Sequence, residues 1–146
     1  MAYWDTSCLL KLYAPEADSP EVESYLLTGA TIVTSEIARF ELWATLRRKQ
    51  AVGELKTGGA REALNAYDAD IASGLIVVNL IDSAVIAIFD AVVEHCNGRT
   101  PSLPIRTLDA IHLATAQVSG EPVLVATDKR LRDAAASFGF KLSPAR

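Results

Sequence analysis

The chain of 146 residues carries 18 acidic and 14 basic side chains, for a net charge of −4 and a pI near 5.1. This balance excludes a protein coated in positive charge for nucleic acid, although local basic patches can still hold phosphate on an acidic domain. Half of the residues are hydrophobic and 22% are charged, which fits one compact domain over residues 1–146 rather than a disordered tail. No apolar run reaches the roughly 18–20 residues of a membrane helix. Met1 leads directly into apolar residues with neither a basic region nor a cleavage site, so a cytoplasmic location without export is expected. Cys8 and Cys96 are too few for a disulfide framework and lack zinc-ligand spacing; they are expected to be small buried apolar groups.

Short apolar runs alternate with helical segments, the pattern of a parallel sheet covered on both faces. Strands are expected near residues 2–5, 31–34, 75–80, 122–127 and 140–143. The first helix starts at Ser7 and carries Leu9, Leu10, Leu12 and Tyr13. The second has Ser19 as its N-cap, Pro20 at the first helical position and Gly29 just past its end. The third opens at Ser35 and runs to about Ala51, before Gly53. A fourth lies between Gly59 and Gly74, two more cover roughly Ser83–His95 and Leu108–Val118, and the last runs from Asp128 to Phe138 with Gly139 ending it. One loop, Asn97 to Pro104, breaks the rhythm but is too short to be a domain linker.

Four acids stand at telling places in this pattern. Asp5 and Asp128 follow strands, where each has a plain reason to exist as the cap of the next helix. Asp109 sits in the first turn of its helix, where the macrodipole favours a negative charge. Yet its surroundings, Leu108-Asp109-Ala110-Ile111-His112-Leu113-Ala114, are apolar nearly all round, and a buried carboxylate without a partner is expensive. Glu41 is flanked by Ile37 and Ala44 on nearly the same helix face, so it does not lie on a solvated stripe. In open parallel sheets ligands bind beyond the carboxyl ends of the strands, the edge to which these four residues belong. Carboxylates gathered there repel one another unless a cation answers them.

The opening Asp5-Thr6-Ser7-Cys8-Leu9-Leu10-Lys11-Leu12-Tyr13 resembles the first acidic motif of the PIN-domain nucleases, and Ser35-Glu36-Ile37-Ala38-Arg39-Phe40-Glu41-Leu42 resembles the second. Arg106-Thr107-Leu108-Asp109-Ala110-Ile111-His112-Leu113-Ala114 is similar to the third, and Val125-Ala126-Thr127-Asp128-Lys129-Arg130-Leu131 to the fourth. The motifs stand in family order over almost the whole chain, and the likeness is closest to the VapC-type toxins of type II toxin–antitoxin pairs. The resemblance implies a three-layer α/β PIN-like fold, with a central, mainly parallel sheet of about five strands flanked by helices. It implies cleavage of RNA phosphodiester bonds by a Mg²⁺-dependent or Mn²⁺-dependent endoribonuclease, held in check by a VapB-type antitoxin protein. Such hard cations take oxygen ligands. Asp5 and Asp109 are expected as principal ligands, with Glu41 and Asp128 bound directly or through water and able to accept a proton.

Thr6, Ser7 and Thr127 suit hydroxyls that orient carboxylates or phosphate. Arg106 suits a site carboxylate, a phosphate or plain solvent. Arg47, Arg48, Lys129 and Arg130 are candidate RNA contacts. His112 reads most simply as a satisfied core histidine, His95 as a charge favourable to a helix end, and Trp4 and Trp43 as core or interface residues. The apolar helices leave room for a homodimer contact. Two other readings stay open. A receiver-like Mg²⁺-binding signalling module also uses strand-end carboxylates, but here Glu41 and Asp109 lie on helices. A catalytically silent PIN-like binding module is the other. A haloacid-type phosphatase would need a second acid where Ser7 stands.

Overall fold

The computed structural model describes residues 1–29 and 31–145. Five strands, β1 (Ala2–Trp4), β2 (Ile32–Ser35), β3 (Ile76–Asn79), β4 (Val123–Val125) and β5 (Lys141–Ser143), form one sheet in the order β3-β2-β1-β4-β5, every pair parallel. The helices are α1 (Thr6–Tyr13), α2 (Ser19–Glu23), α3 (Ile37–Ala51), α4 (Gly59–Ala72), α5 (Ser83–Gly98), α6 (Thr107–Ser119) and α7 (Lys129–Ser137). The expected fold class is therefore present, with a sheet that is wholly rather than mainly parallel.

The period-2 geometry of a strand explains the layering. In the fully buried β1, Ala2 and Trp4 enter a core with Leu9, Leu42, Leu46, Leu64 and Tyr67 from α1, α3 and α4. Tyr3 points to the opposite core, with Val85, Val92, Leu113, Leu131 and Ala135 from α5, α6 and α7. Apolar residues on both sides of a central strand are what helices on both faces require. Strand order runs outward from β1 in both directions, so β1 and β4 flank the point where the chain reverses its winding. Ligands of doubly wound sheets sit at the carboxyl edge there.

Several boundaries differ from the sequence reading. Ser19 does not cap its helix. Asp18 holds the cap position, the Ser19 hydroxyl accepts the Glu16 N–H at 2.7 Å, and the helix stops at Glu23 before a separate 3-10 turn, Leu26–Thr28, that Gly29 closes at φ 75°. Ser35 is the last residue of β2 rather than the opening of α3, and its Oγ accepts the Ile37 N–H at 3.2 Å. Helix α1 begins one residue before Ser7. Helix α5 runs through Asn97 and Gly98, shortening the expected loop; Asp82 caps its start, and at the other end Leu103 N–H bonds the Cys96 carbonyl of the last turn. His95 does not serve only the helix end. It bonds Ser137 Oγ at 3.1 Å and its ring lies on Phe138, joining α5 to the end of α7. Cys8, Cys96 and Trp4 are buried. Among the described residues no helix is long and apolar enough to cross a membrane.

Candidate active site

The turn from β1 into α1 builds the floor of the site. Asp5 has extended backbone, and its Oδ1 accepts the Cys8 N–H at 3.0 Å, so it does cap α1. Its Oδ2 takes the Ser7 hydroxyl at 2.7 Å, and its own N–H bonds the Val125 carbonyl of β4. Asp128 repeats the device after β4, capping α7 through Oδ1 to the Leu131 N–H at 3.0 Å. Capping fixes both carboxylates at the carboxyl edge of adjacent strands, and each keeps oxygen lone pairs beyond those the helix uses. The local explanation and the functional one coexist.

Two helices supply the remaining acids. Glu41 stands in the second turn of α3, directly after β2, and Asp109 in the first turn of α6. Asp5, Thr6, Ser7, Glu41, Arg106, Asp109, His112, Thr127 and Asp128 together line one cavity of about 340 Å³. All four acids, and all four of the expected orienting residues, thus share one recess. Among the described residues, however, no three His, Cys, Asp or Glu side chains are drawn together tightly enough to hold an ion as they stand.

The donors around each acid differ. Thr6 Oγ1 donates to Glu41 Oε1 at 2.7 Å, and His112 Nε2 lies 2.6 Å from the same oxygen. Arg106 Nε donates to Asp109 Oδ2 at 3.0 Å, so Arg106 is paired with a site carboxylate, although its own side chain remains exposed. Burial pushes the Asp5 carboxyl up from its ordinary range, and the bonds from Ser7 and Cys8 offset this only in part. Burial also pushes Glu41 up, but the bonds from His112 and Thr6 and the charge of Arg106 outweigh it and hold that carboxyl below its usual range.

His112 is buried, as a core histidine would be, but it also lines the cavity and binds a site acid. Its Nδ1 meets the Tyr3 hydroxyl at 2.7 Å. Tyr3 is the residue that sequence reasoning missed: in a three-residue apolar strand it reads as core, and only its hydroxyl distinguishes it. The basic candidates do not line the cavity. Lys129 is tied to Asp133 at 2.6 Å, Arg47 lies 5.7 Å from the centre of the half-buried Trp43 ring, and the exposed Arg48 reaches Thr45 at 3.5 Å. Arg130 is exposed beside Asp128.

An all-oxygen set of carboxylates and hydroxyls suits a hard divalent cation rather than a soft one. Mg²⁺ commonly keeps several waters and is held by one or two carboxylates, so acids spread around a wet cavity fit it without a tight protein cage. Asp5, Glu41, Asp109 and Asp128 are the residues that would hold it.

A doubly wound parallel sheet with a carboxylate-lined recess at its switch point defines an α/β protein with a polar, anion-rich site. The PIN domain family profile matches residues 2–137. Ribonuclease VapC46 of Mycobacterium tuberculosis is 34% identical over 140 residues, covering 94% of this chain and 92% of that protein. The chain belongs to the PIN domain family, on the side of its VapC-like members. The fold also matches the crystal structure of M. tuberculosis VapC20, described as a Sarcin-Ricin loop cleaving toxin, with a TM-score of 0.67 at 19% identity over 97% of both chains. It likewise matches VapBC2 from Rickettsia felis, solved bound to a DNA fragment from their promoter, with a TM-score of 0.67 at 15% identity over 98% of both chains.

Proposed function

We propose that this protein is a metal-dependent endoribonuclease, folded as one domain over residues 1–146 and acting in the cytoplasm as the toxin of a toxin–antitoxin pair. The observation that carries this reading is the meeting of Asp5, Glu41, Asp109 and Asp128, from four separate elements, around one cavity at the switch point of the sheet. The ribonuclease name of a 34% identical relative supports it. A bound Mg²⁺ or Mn²⁺ supplies Lewis acidity and charge neutralisation at a phosphodiester.

The chain's own residues do the rest. Asp5 and Asp109 would hold the cation, with Glu41 and Asp128 completing the set directly or through water. Glu41 or Asp128 accepts the proton of the attacking water, a task suited to a carboxylate within hydrogen-bond reach. Ser7 and Thr6 restrain Asp5 and Glu41, Thr127 offers a hydroxyl to phosphate, and Arg106 exchanges Asp109 for a phosphate oxygen of the substrate. Arg47, Arg48, Lys129 and Arg130 give the RNA backbone charge contacts away from the cleavage point.

The partner is a VapB-type antitoxin. A cavity of about 570 Å³ lined by Glu36, Ile37, Phe40, Ala44, Ile81 and Leu108 adjoins the acidic recess and shares Glu41 with it. Phe40 is 76% and Leu108 43% exposed, which suits an amphipathic segment whose arginine or lysine reaches the carboxylates. Exposed apolar surface also suits a homodimer.

The enzymatic test is RNA incubated with the protein and Mn²⁺ or Mg²⁺, with chelator as control. Cleavage should require the metal and be lost in Asp5→Asn and Asp109→Asn. Full activity in both folded variants would remove them from the site. The cellular test is expression alone and with the neighbouring small reading frame. Growth arrest relieved by the neighbour, and absent with Asp5→Asn, is expected; harmless expression of an active enzyme would mean a nuclease without an antitoxin.

A further inference from the structure

Glu41 is held by a chain of buried polar groups that the proposed chemistry has not used. Tyr3 is wholly buried and His112 is 2% exposed, yet each spends a polar atom on its neighbour: Tyr3 hydroxyl to His112 Nδ1 at 2.7 Å, His112 Nε2 to Glu41 Oε1 at 2.6 Å. We propose that Tyr3 and His112 are positioning residues for Glu41, the Tyr3 hydroxyl fixing the imidazole proton on Nε2 so that Nε2–H and the Thr6 hydroxyl pin Oε1 and leave Oε2 as the oxygen free for a cation. The inference rests on the reading of the recess as a cation site.

Counting protons gives the direction of the two bonds to Glu41, and the proposed neutral ring then gives that of the third. A carboxylate offers only lone pairs. The single Thr6 hydroxyl proton goes to Glu41 Oε1 at 2.7 Å. The short contact between Nε2 and Oε1 therefore needs its proton on Nε2, which also lies 3.0 Å from the accepting lone pairs of Thr6 Oγ1. A neutral ring protonated there presents a lone pair at Nδ1, and the Tyr3 hydroxyl is the group that meets it. The hydroxyls of Thr34 and Thr115, close by, donate to the Trp4 and Ile111 carbonyls.

A merely structural role would not need these groups. Phenylalanine and leucine fill such a core with no polar atoms to satisfy, and a buried polar chain is tolerable only when every member is bonded. Here the chain ends on a half-buried carboxylate that has no donor on Oε2 among the described residues. A glutamate with three rotatable bonds loses conformational freedom when a cation fixes it. Holding Oε1 from two sides removes much of that freedom beforehand. It also ties together β1, α1, α3 and α6, four of the elements around the recess.

Three variants and one spectrum test this: Tyr3→Phe, His112→Leu and His112→Gln, each checked for folding by circular dichroism. Mn²⁺ affinity is measured by electron paramagnetic resonance without RNA, and RNA cleavage separately at saturating Mn²⁺. Loss of a group that orients a ligand typically lowers metal affinity about 10–100-fold, and that loss is expected for His112→Leu, with a smaller one for Tyr3→Phe. Glutamine, which keeps an N–H near the position of Nε2, should restore most of it. In the wild type, nitrogen-detected NMR of the histidines should place the His112 proton on Nε2 and the lone pair on Nδ1, with Tyr3→Phe mixing the tautomers. A proton on Nδ1 in the wild type would overturn the relay, as would wild-type Mn²⁺ affinity in folded Tyr3→Phe and His112→Leu. A wild type that binds no Mn²⁺ and cleaves no RNA would instead overturn the nuclease reading and with it the cation-facing part of this inference.

Discussion

Arg106 donates to Asp109 from one helical turn away, Nε to Oδ2 at 3.0 Å, so the guanidinium at the rim of the recess occupies a carboxylate proposed to hold the divalent ion. Guanidinium and cation are competitors for the same charge. An exposed pair of this kind contributes about 0.2–1 kcal/mol. Arg106→Gln should therefore tighten Mn²⁺ binding by about two- to fivefold at low salt in the absence of RNA, with the difference shrinking as salt screens the pair. Titration calorimetry at two ionic strengths checks it; weaker binding in the variant would mean that Arg106 organises Asp109 for the ion rather than competing with it.

Asp5 gives a stability signature. Its folded-state pKa is raised above the ordinary value of 3.8 by burial. A raised carboxyl contributes stability that is fully present below the unfolded value and lost as pH rises through the folded one. At neutral pH and without metal the ionised Asp5 is a burden. Asparagine caps helices as well as aspartate does, so Asp5→Asn keeps the bond from Cys8. The metal-free variant should melt about 2–4 °C higher at pH 7, the scale of 1 kcal/mol in a chain of this size, and lose the rise in Tm that Mn²⁺ gives the wild type. Equal Tm values with a retained Mn²⁺ shift would count against Asp5 as a ligand.

Away from the recess, Lys11 is a nearly buried ammonium held by Glu16 at 2.9 Å and Asp18 at 3.1 Å, while Lys49 reaches the other Glu16 oxygen at 3.1 Å. The Lys11 bond, helped by Lys49, holds Glu16 below its ordinary value of 4.5. For a depressed carboxyl the sign is reversed: its stabilisation is present above pH 4.5 and disappears as pH falls through the folded value. Glu16→Gln should cost about 1–2 kcal/mol at pH 7, the roughly 1.5–3 kcal/mol of a hydrogen bond to a charged group reduced by solvent screening of the one-third-exposed carboxylate, and almost nothing in acid below both values. Urea unfolding at several pH values measures this, and a pH-independent loss would assign the effect to packing.

The RNA path has a salt test. Arg47, Arg48, Lys129 and Arg130 lie outside the recess, so as phosphate contacts they extend the footprint rather than act at the cleavage point. Each true contact adds to the slope of log affinity against log salt. The quadruple alanine variant of these residues should bind RNA more weakly and with a flatter slope, at unchanged Mn²⁺ affinity. An unaltered slope moves the RNA to another face.

What the sequence disclosed and what it hid follow from the range of the interactions. The five strands and the caps at Asp5 and Asp128 depend on neighbours within a few residues, so alternation and helix starts reveal them. The gathering of the four acids follows from the rule that parallel sheets present their carboxyl edge. Helix α2 was misread because the Ser19 hydroxyl turns back to the Glu16 N–H instead of capping forward. Tyr3–His112 and His112–Glu41 span 109 and 71 positions, and no periodicity encodes contacts that long. The apolar setting of His112 foretold its burial but not its partners. The basic residues were grouped as adjacent runs, whereas the neighbours that Arg47, Arg48 and Lys129 meet, Trp43, Thr45 and Asp133, stand three or four positions away on the same helices.

The central place of β1 has a consequence for synthesis. A nascent chain makes Tyr3 early, yet the Tyr3–Leu124 register and the Asp5–Val125 bond wait until β4 has been translated. Late pairing of distant segments is intrinsically slow. The proposed site therefore stays incomplete while the ribosome is still extending the chain, since Asp109 and Asp128 follow three of the five strands in sequence. Arrested nascent chains stopped before Val123 should accordingly show no Mn²⁺ binding, whereas chains extended past Ser143 and clear of the exit tunnel should acquire it. On the proposed nuclease reading, that order of assembly keeps the recess incomplete until synthesis of the sheet is nearly over.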